Sequence, residues 1–429
     1  MQRSALSVCA VLALAPAAIA GDLQPPPGPI NPTDHVVLNQ QAITLPYLIT
    51  QPGHYKLTSN LSGGPGDGIQ IQSNDVWIDL NGFSLIGSGP AGIPSDGIVM
   101  LGNFENVTVV NGTLRDWGDD GIDFALGRNC RVERVTVAQS GDRGFDLWAT
   151  QVIRCQAIDC GSDGIYAQYQ SVVETCIVHG CGGVGIWAED GCKIANCTSR
   201  GNIDGFYVGV QSVCIDSTAL DNQSLGFLAV ESSKTADCVA ARNQLDGFVL
   251  PFGGVAVDCV ATENGSIGFF ADGGAVVTAC KASRNTDGYV MIFGSKVVEC
   301  NAHENVNLGV FADLGSVVRG CNVMLNFQAG IQALNACLIE DNHCFQNAGG
   351  AFGPGTANIE IQGSSNRVSG NDCKDAPSNY LVTGPGNTIY LNSATLFGPG
   401  GNFNIPVGPN DVAFIGPAAA GFPMQNVVY

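Results

Sequence analysis

Residues 226–246 (GFLAVESSKTADCVAARNQLD), 247–267 (GFVLPFGGVAVDCVATENGSI) and 268–287 (GFFADGGAVVTACKASRNTD) are three versions of one 20- to 21-residue unit. Each opens on a glycine and an aromatic residue, holds a cysteine near its middle and closes close to an asparagine. The glycine–apolar pair recurs at Gly144-Phe145, Gly164-Ile165, Gly185-Ile186, Gly205-Phe206, Gly288-Tyr289, Gly309-Val310 and Gly330-Ile331. Longer coils continue it upstream at Gly121-Ile122, Gly97-Ile98 and Gly68-Ile69. A short fixed period means stacked coils, each burying its apolar face against its neighbours.

Counted from the glycine, positions +1 and +3 are apolar and alternate with +2, the pattern of a strand with one buried face. The +1 row (Phe145, Ile165, Ile186, Phe206, Phe227, Phe248, Phe269, Tyr289) makes an internal stack. Position +17 is asparagine in Asn202, Asn222, Asn243, Asn264, Asn285, Asn305, Asn326 and Asn347. Asparagine tolerates the left-handed backbone of a tight turn, and its amide can bond to the rungs above and below. Position +12 is cysteine in seven coils, Cys176 to Cys321. One thiol per coil, with no C-x-x-C pair, reads as small side chains filling a narrow corner, not as a metal row. Cys160 and Cys181 differ: they take turn positions where asparagine otherwise sits, and are the candidate disulfide between adjacent coils. Cys337 and Cys344 are a second candidate.

Charges follow the same logic. Position +16 alternates in sign through Asp221, Arg242, Glu263, Arg284 and Glu304, so each charge lies between opposite ones. The position before the glycine reads Asp163, Val184, Asp204, Leu225, Asp246, Ile267, Asp287, Leu308. An aliphatic residue thus separates carboxylates that would repel if stacked. This gives a two-coil unit.

The coil G-[FI]-x-x-…-V-V-x-x-C-x-A-x-x-N resembles the right-handed parallel β-helix repeat of the pectate-lyase-like superfamily, over roughly residues 54–392. The stretch from Pro52-Gly53-His54-Tyr55 through Ile78-Asp79-Leu80-Asn81-Gly82 is similar to exported bacterial β-helix repeat proteins, mostly without an assigned activity. The expected fold is all-β: a single right-handed parallel β-helix solenoid of about thirteen to fifteen coils, with an N-terminal cap and a Gly/Pro-rich C-terminal tail. The expected division is a signal peptide at 1–20, a Pro-rich linker and cap at 21–53, the β-helix at 54–392 and the tail at 393–429. The superfamily includes pectate lyases, polygalacturonases, mannuronan epimerases and adhesins. The resemblance therefore implies a first-strand face used as a polysaccharide groove and leaves the reaction open.

Arg3, the apolar run Ala5 to Ala15 and Ala18-Ile19-Ala20 form a secretory signal. No later apolar run is long enough to span a bilayer. The protein is expected to be secreted, extracellular or periplasmic. A net charge of −20 argues against nucleic acid. It permits calcium or cationic ligands, and also fits plain solubility.

The outward +2 row reads Asp123, Asp146, Tyr166, Trp187, Tyr207, Leu228, Val249, Phe270, Val290, Phe311. In one reading, Trp148, Tyr166, Trp187 and Tyr207 stack on sugar rings, with Glu189 and Arg143 beside them as binding groups. Asp123 and Asp146 break the separation rule, and should lie about 5 Å apart on neighbouring rungs. They are the candidate catalytic pair, and with Asp120 the candidate calcium ligands, since carboxylates that close share a proton or hold a cation. In the other reading the row is structural. For Leu228 to Phe311 we favour a cover, either the C-terminal tail or a second subunit, which would make the protein a homo-oligomer. For residues 117–190, where Trp117 and Asp119 join the cluster, both readings stand.

The family's catalytic signatures do not carry over. There is no tyrosine-rich Asp-His motif, and no Gly-His-Gly or Arg-x-Lys follows Asp119-Asp120. The histidines are scattered, and Arg200, Arg242 and Arg284 look committed to the turn. The leading functional expectation is an exported protein that binds a polysaccharide or cell-surface glycan and, if an enzyme, processes it as a lyase, hydrolase or epimerase. The alternative is a non-catalytic surface, adhesion or structural solenoid.

Overall fold

The computed structural model describes residues 35–89, 93–349, 357–395 and 403–405, and the backbone of strands Asp411–Val412, Ile415–Gly416 and Asn426–Val428. The expected signal peptide, residues 21–34 and most of the expected tail lie outside the described residues. Every assigned element is a β-strand, and successive coils pair in parallel.

One coil explains the rest. After Gly247, Phe248–Leu250 forms the first strand, Val255–Val257 the second and Val260–Thr262 the third. Corners fall at Asp258 (φ 54°) and Glu263 (φ 58°), single residues in the left-handed region. Bonds between rungs offset that strain. At the corner after the third strand, Asn264 Oδ1 accepts the Asn243 backbone N–H (3.1 Å) and its Nδ2–H (2.9 Å). Asn264 Nδ2 in turn donates to Asn285 Oδ1 (3.0 Å). This ladder runs from Asn202 to Asn379, and Asn358 carries it past the residues not described. The cysteine row does the same work at the other corner. Cys259 N–H donates to Cys280 Sγ (3.3 Å) and the Cys259 thiol to Val257 O (3.2 Å). Ser217 and Asn342 take the same acceptor role at their rungs. The thiols thus hold backbone N–H groups as well as filling the corner.

The glycine column is a close approach. A Cβ on Gly247 would lie 2.7 Å from Gly268 O, 2.9 Å from Asn264 Nδ2 and 3.0 Å from Ala261 Cβ. Gly247→Ala should therefore cost about 1–3 kcal/mol as an overpacked site. A urea midpoint equal to wild type would refute this account of the column.

The first strands form one column of 17, from Tyr47–Ile49 to Phe403–Asn404. The rungs beyond the expected count lie at the ends, inside the segments read as cap and tail, where coil lengths depart from the regular period. Val36–Leu38 already pairs with the strand Gly53–Leu57. The described tail strands extend the stack: Asp411–Val412 pairs with Thr388–Ile389, and Val427–Val428 with Ser393–Ala394.

All cysteines from Cys130 to Cys373 are buried free thiols. The disulfide expected between Cys160 and Cys181 is not formed. These thiols head the asparagine ladder, and Cys181 N–H donates to Asn202 Oδ1 (2.8 Å). Cys344 is register-paired with Cys373 rather than placed against Cys337. The alternating charges appear as expected: Arg242 Nε lies 2.8 Å from Asp221, and Arg284 bridges Glu263 and Glu304. The Asp–aliphatic alternation gains a second reason. Asp246 Oδ1 accepts the Ile267 N–H (2.8 Å), Asp204 that of Leu225 and Asp287 that of Leu308.

Candidate functional site

The +2 residues form one row in register: Asp123 with Asp146, Asp146 with Tyr166, Tyr166 with Trp187, Trp187 with Tyr207. Period-two alternation puts this row outward, because its neighbours Phe145, Leu147, Ile165 and Ala167 fill the core. The rings are in contact. Tyr166 and Trp187 meet edge to face at 5.8 Å, and Trp187 and Tyr207 lie 4.7 Å apart, tilted by 33°. Trp148 stands beside them, stacked on Tyr169 at 5.1 Å. The Tyr166 hydroxyl donates to Glu189, which with burial pushes the phenol up. Trp187 Nε1 is buried with no hydrogen-bond partner.

Arg143 sits below this wall. Its guanidinium lies over the Tyr166 ring at 4.2 Å, its Nη1 is 2.5 Å from Asp146 and its Nε is 3.8 Å from Asp163. Gln168 Nε2 donates to the other Asp146 oxygen (2.8 Å). Both oxygens of Asp146 are thus engaged, and the side chain is buried. Asp123 spends one oxygen on the Ala125 N–H (2.9 Å). The two carboxylates stand side by side on one row and do not flank a cleft. Burial, the first cause, holds both above the usual carboxylate range; Arg143 opposes it at Asp146.

A second carboxylate column lies one position before the glycines, and sequence reasoning missed its upper part. Asp96 N–H donates to Asp67 (3.0 Å), Asp120 N–H to Asp96 (3.0 Å) and Arg143 N–H to Asp120 (2.8 Å). Three carboxylates therefore follow one another with no aliphatic spacer, and Arg143 takes the fourth rung. Burial and the neighbouring carboxylates push Asp96 up to about 7 and Asp120 up to about 8, against the backbone N–H groups they accept. The signal was present as Asp67-Gly68 and Asp96-Gly97, but coils of irregular length hid it.

Among the described residues, carboxylate oxygens of Asp119, Asp120 and Asp142 lie within 4.8 Å of one another. Asp123 and Asp146, the other two expected calcium ligands, fall outside that group. Trp117 is not a sugar platform. It is fully buried, and its Nε1 donates to Leu85 O (3.4 Å).

Residues 96–245 match the family described as right handed beta helix region. The chain is a right-handed parallel β-helix. No curated protein matches the sequence. Among solved structures, it is similar to the Azotobacter vinelandii mannuronan C-5 epimerase AlgE6 A-module (13% identity, TM-score 0.29, covering 88% of this chain and 91% of that one). It is also similar to a mutant tailspike protein of E. coli bacteriophage HK620 in complex with pentasaccharide (12%, 0.46, 77% and 72%). A third is the periplasmic alginate epimerase AlgG (12%, 0.39, 82% and 83%). At these identities and scores, nothing about substrate or activity passes from them to this β-helix. Among its described residues no helix is long and apolar enough to cross a membrane.

Proposed function

We propose that this β-helix binds an extracellular polysaccharide along the first-strand face between Asp119 and Tyr207. The observation that carries the reading is the Tyr166–Trp187–Tyr207 wall, with the Trp187 indole N–H unpartnered at its centre. Aromatic faces pack on the apolar faces of sugar rings, and an orphaned buried N–H gains from an acceptor. Rungs repeat at about 4.8 Å, comparable with the length of one pyranose unit, so successive rings can meet successive sugars. The carboxylates beside the wall accept from sugar hydroxyls. Asp120, raised to about 8, and in part Asp96, raised to about 7, keep a proton near neutral pH that they can donate.

A glycan array with residues 21–429, run with and without calcium and read for binding and for released products, tests this. Trp187→Ala with Tyr207→Ala should weaken binding at least tenfold, as removal of central aromatic anchors does. Binding that survives the loss of both rings moves the site elsewhere, and an array with no bound glycan leaves the face to a protein partner.

A further inference from the structure

The third-strand face carries a depression of about 350 Å³ lined by Lys281, Asn301, His303, Asn322 and Met324. That volume lies within the range of small-molecule sites. It belongs to a different column of strands from the aromatic wall. Two outward rows build it: Lys281, Asn301 and Asn322 are in register on consecutive rungs, and His303 is in register with Met324.

Three of these polar side chains are uncommitted, unlike the asparagines of the buried ladder. From Asn222 to Asn358 each ladder amide donates to the next, whereas the side chains of Lys281, Asn301 and Asn322 make no hydrogen bond among the described residues. Asn322 Oδ1 is buried without a partner. Lys281 is exposed and has no carboxylate within ion-pair distance among the described residues, in a chain of net charge −20. His303 is held at the rim, its Nε2 3.7 Å from Glu304. Stacked carboxamides suit vicinal hydroxyls, a lone ammonium suits a carboxylate, and the Met324 thioether offers an apolar floor.

We propose that this depression is a second site, for a single acidic sugar of the uronate class, with Lys281 on its carboxylate and Asn301 and Asn322 on its hydroxyls. It does not rest on the first-strand reading. Protein labelled at the methionine methyls reports on it directly through Met324, whose signal is assigned with Met324→Leu. Galacturonate should shift the Met324 signal saturably, and galactose and acetate should not. Lys281→Gln, an exposed and structurally mild change, should weaken the galacturonate response at least tenfold, the loss expected for a hydrogen bond to a charged group. Trp187→Ala should leave the response intact. The proposal is overturned by an unmoved Met324 signal, or by an equal response to galactose or to acetate. A response indifferent to Lys281→Gln, or one abolished by Trp187→Ala, overturns it too.

Discussion

Phe248→Ala should lower the stability of the β-helix by about 3–5 kcal/mol, the cost of removing a phenyl group from a packed core. Phe248 is fully buried. Its ring lies 4.7 Å from Phe227 and 4.7 Å from Phe269, with planes within 4° of parallel. The stack continues to Phe206 at one end and to Tyr289 at the other, where the hydroxyl donates to Cys280 O (2.8 Å) and Asn301 O (3.0 Å). A cavity here has little freedom to collapse. The rungs on either side are held at strand spacing by ladders in all three columns, so the neighbouring rings cannot slide together without breaking them. Phe248→Leu, which keeps most of the volume, should cost under about 1.5 kcal/mol. Phe252→Ala, at a corner where the ring is 69% exposed, should change stability by less than about 0.5 kcal/mol. Urea titrations of the three variants decide the matter. If Phe248→Ala falls within about 1 kcal/mol of Phe252→Ala, the stack contributes little and the ladders alone hold the coils.

The same stack shows what the sequence could reveal. Rows such as Phe206–Tyr289 and Asn202–Asn347 were legible because a constant period places one residue type at one point of the cross-section, and counting finds it. The pairing of Asp123 with Asp146, the outward wall from Tyr166 to Tyr207 and the charge alternation around Asp221 and Arg284 follow from the same count. The count fails where coil length changes. Gly68, Gly97 and Gly121 are separated by irregular intervals, so Asp67, Asp96 and Asp120 did not read as one column. The core position of Trp117 was hidden for the same reason. It lies in a long coil, and its ring fills the core where glycines leave room: a Cβ on Gly68, Gly87 or Gly97 would lie 2.8–3.0 Å from it. The corner role of the cysteines was only half legible, because thiol size can be read from a pattern but hydrogen bonding to a carbonyl or an amide cannot.

The protons held by Asp96 and Asp120 should make the protein less stable at pH 8 than at pH 5.5. An unfolded chain releases these protons near pH 4, whereas the folded protein holds Asp96 to about 7 and Asp120 to about 8. The folded state therefore binds more protons across that window, and stability falls as pH rises through it. Asp119, Asp123, Asp146 and Asp163, also held above their ordinary range, act in the same direction. The carboxylates with lowered values, Glu133, Asp221 and Asp372, lose their contribution only at lower pH. The Asp96 carboxylate raises Asp120, and at about 1.4 kcal/mol per pH unit for each proton that only the folded state holds, the difference between pH 5.5 and pH 8 should be at least about 2 kcal/mol. Net charge weakens the fold in the same direction, so the wild-type slope alone does not identify the column. Asp96→Asn with Asp120→Asn does. Each carboxamide oxygen still accepts the N–H that the aspartate accepted from the next rung, while the proton release is gone. Urea titrations in a chelating buffer should show the double variant more stable than wild type at pH 8 and with a much shallower pH dependence. A double variant that keeps the wild-type slope would assign the effect to overall charge and leave the column a purely structural row of acceptors.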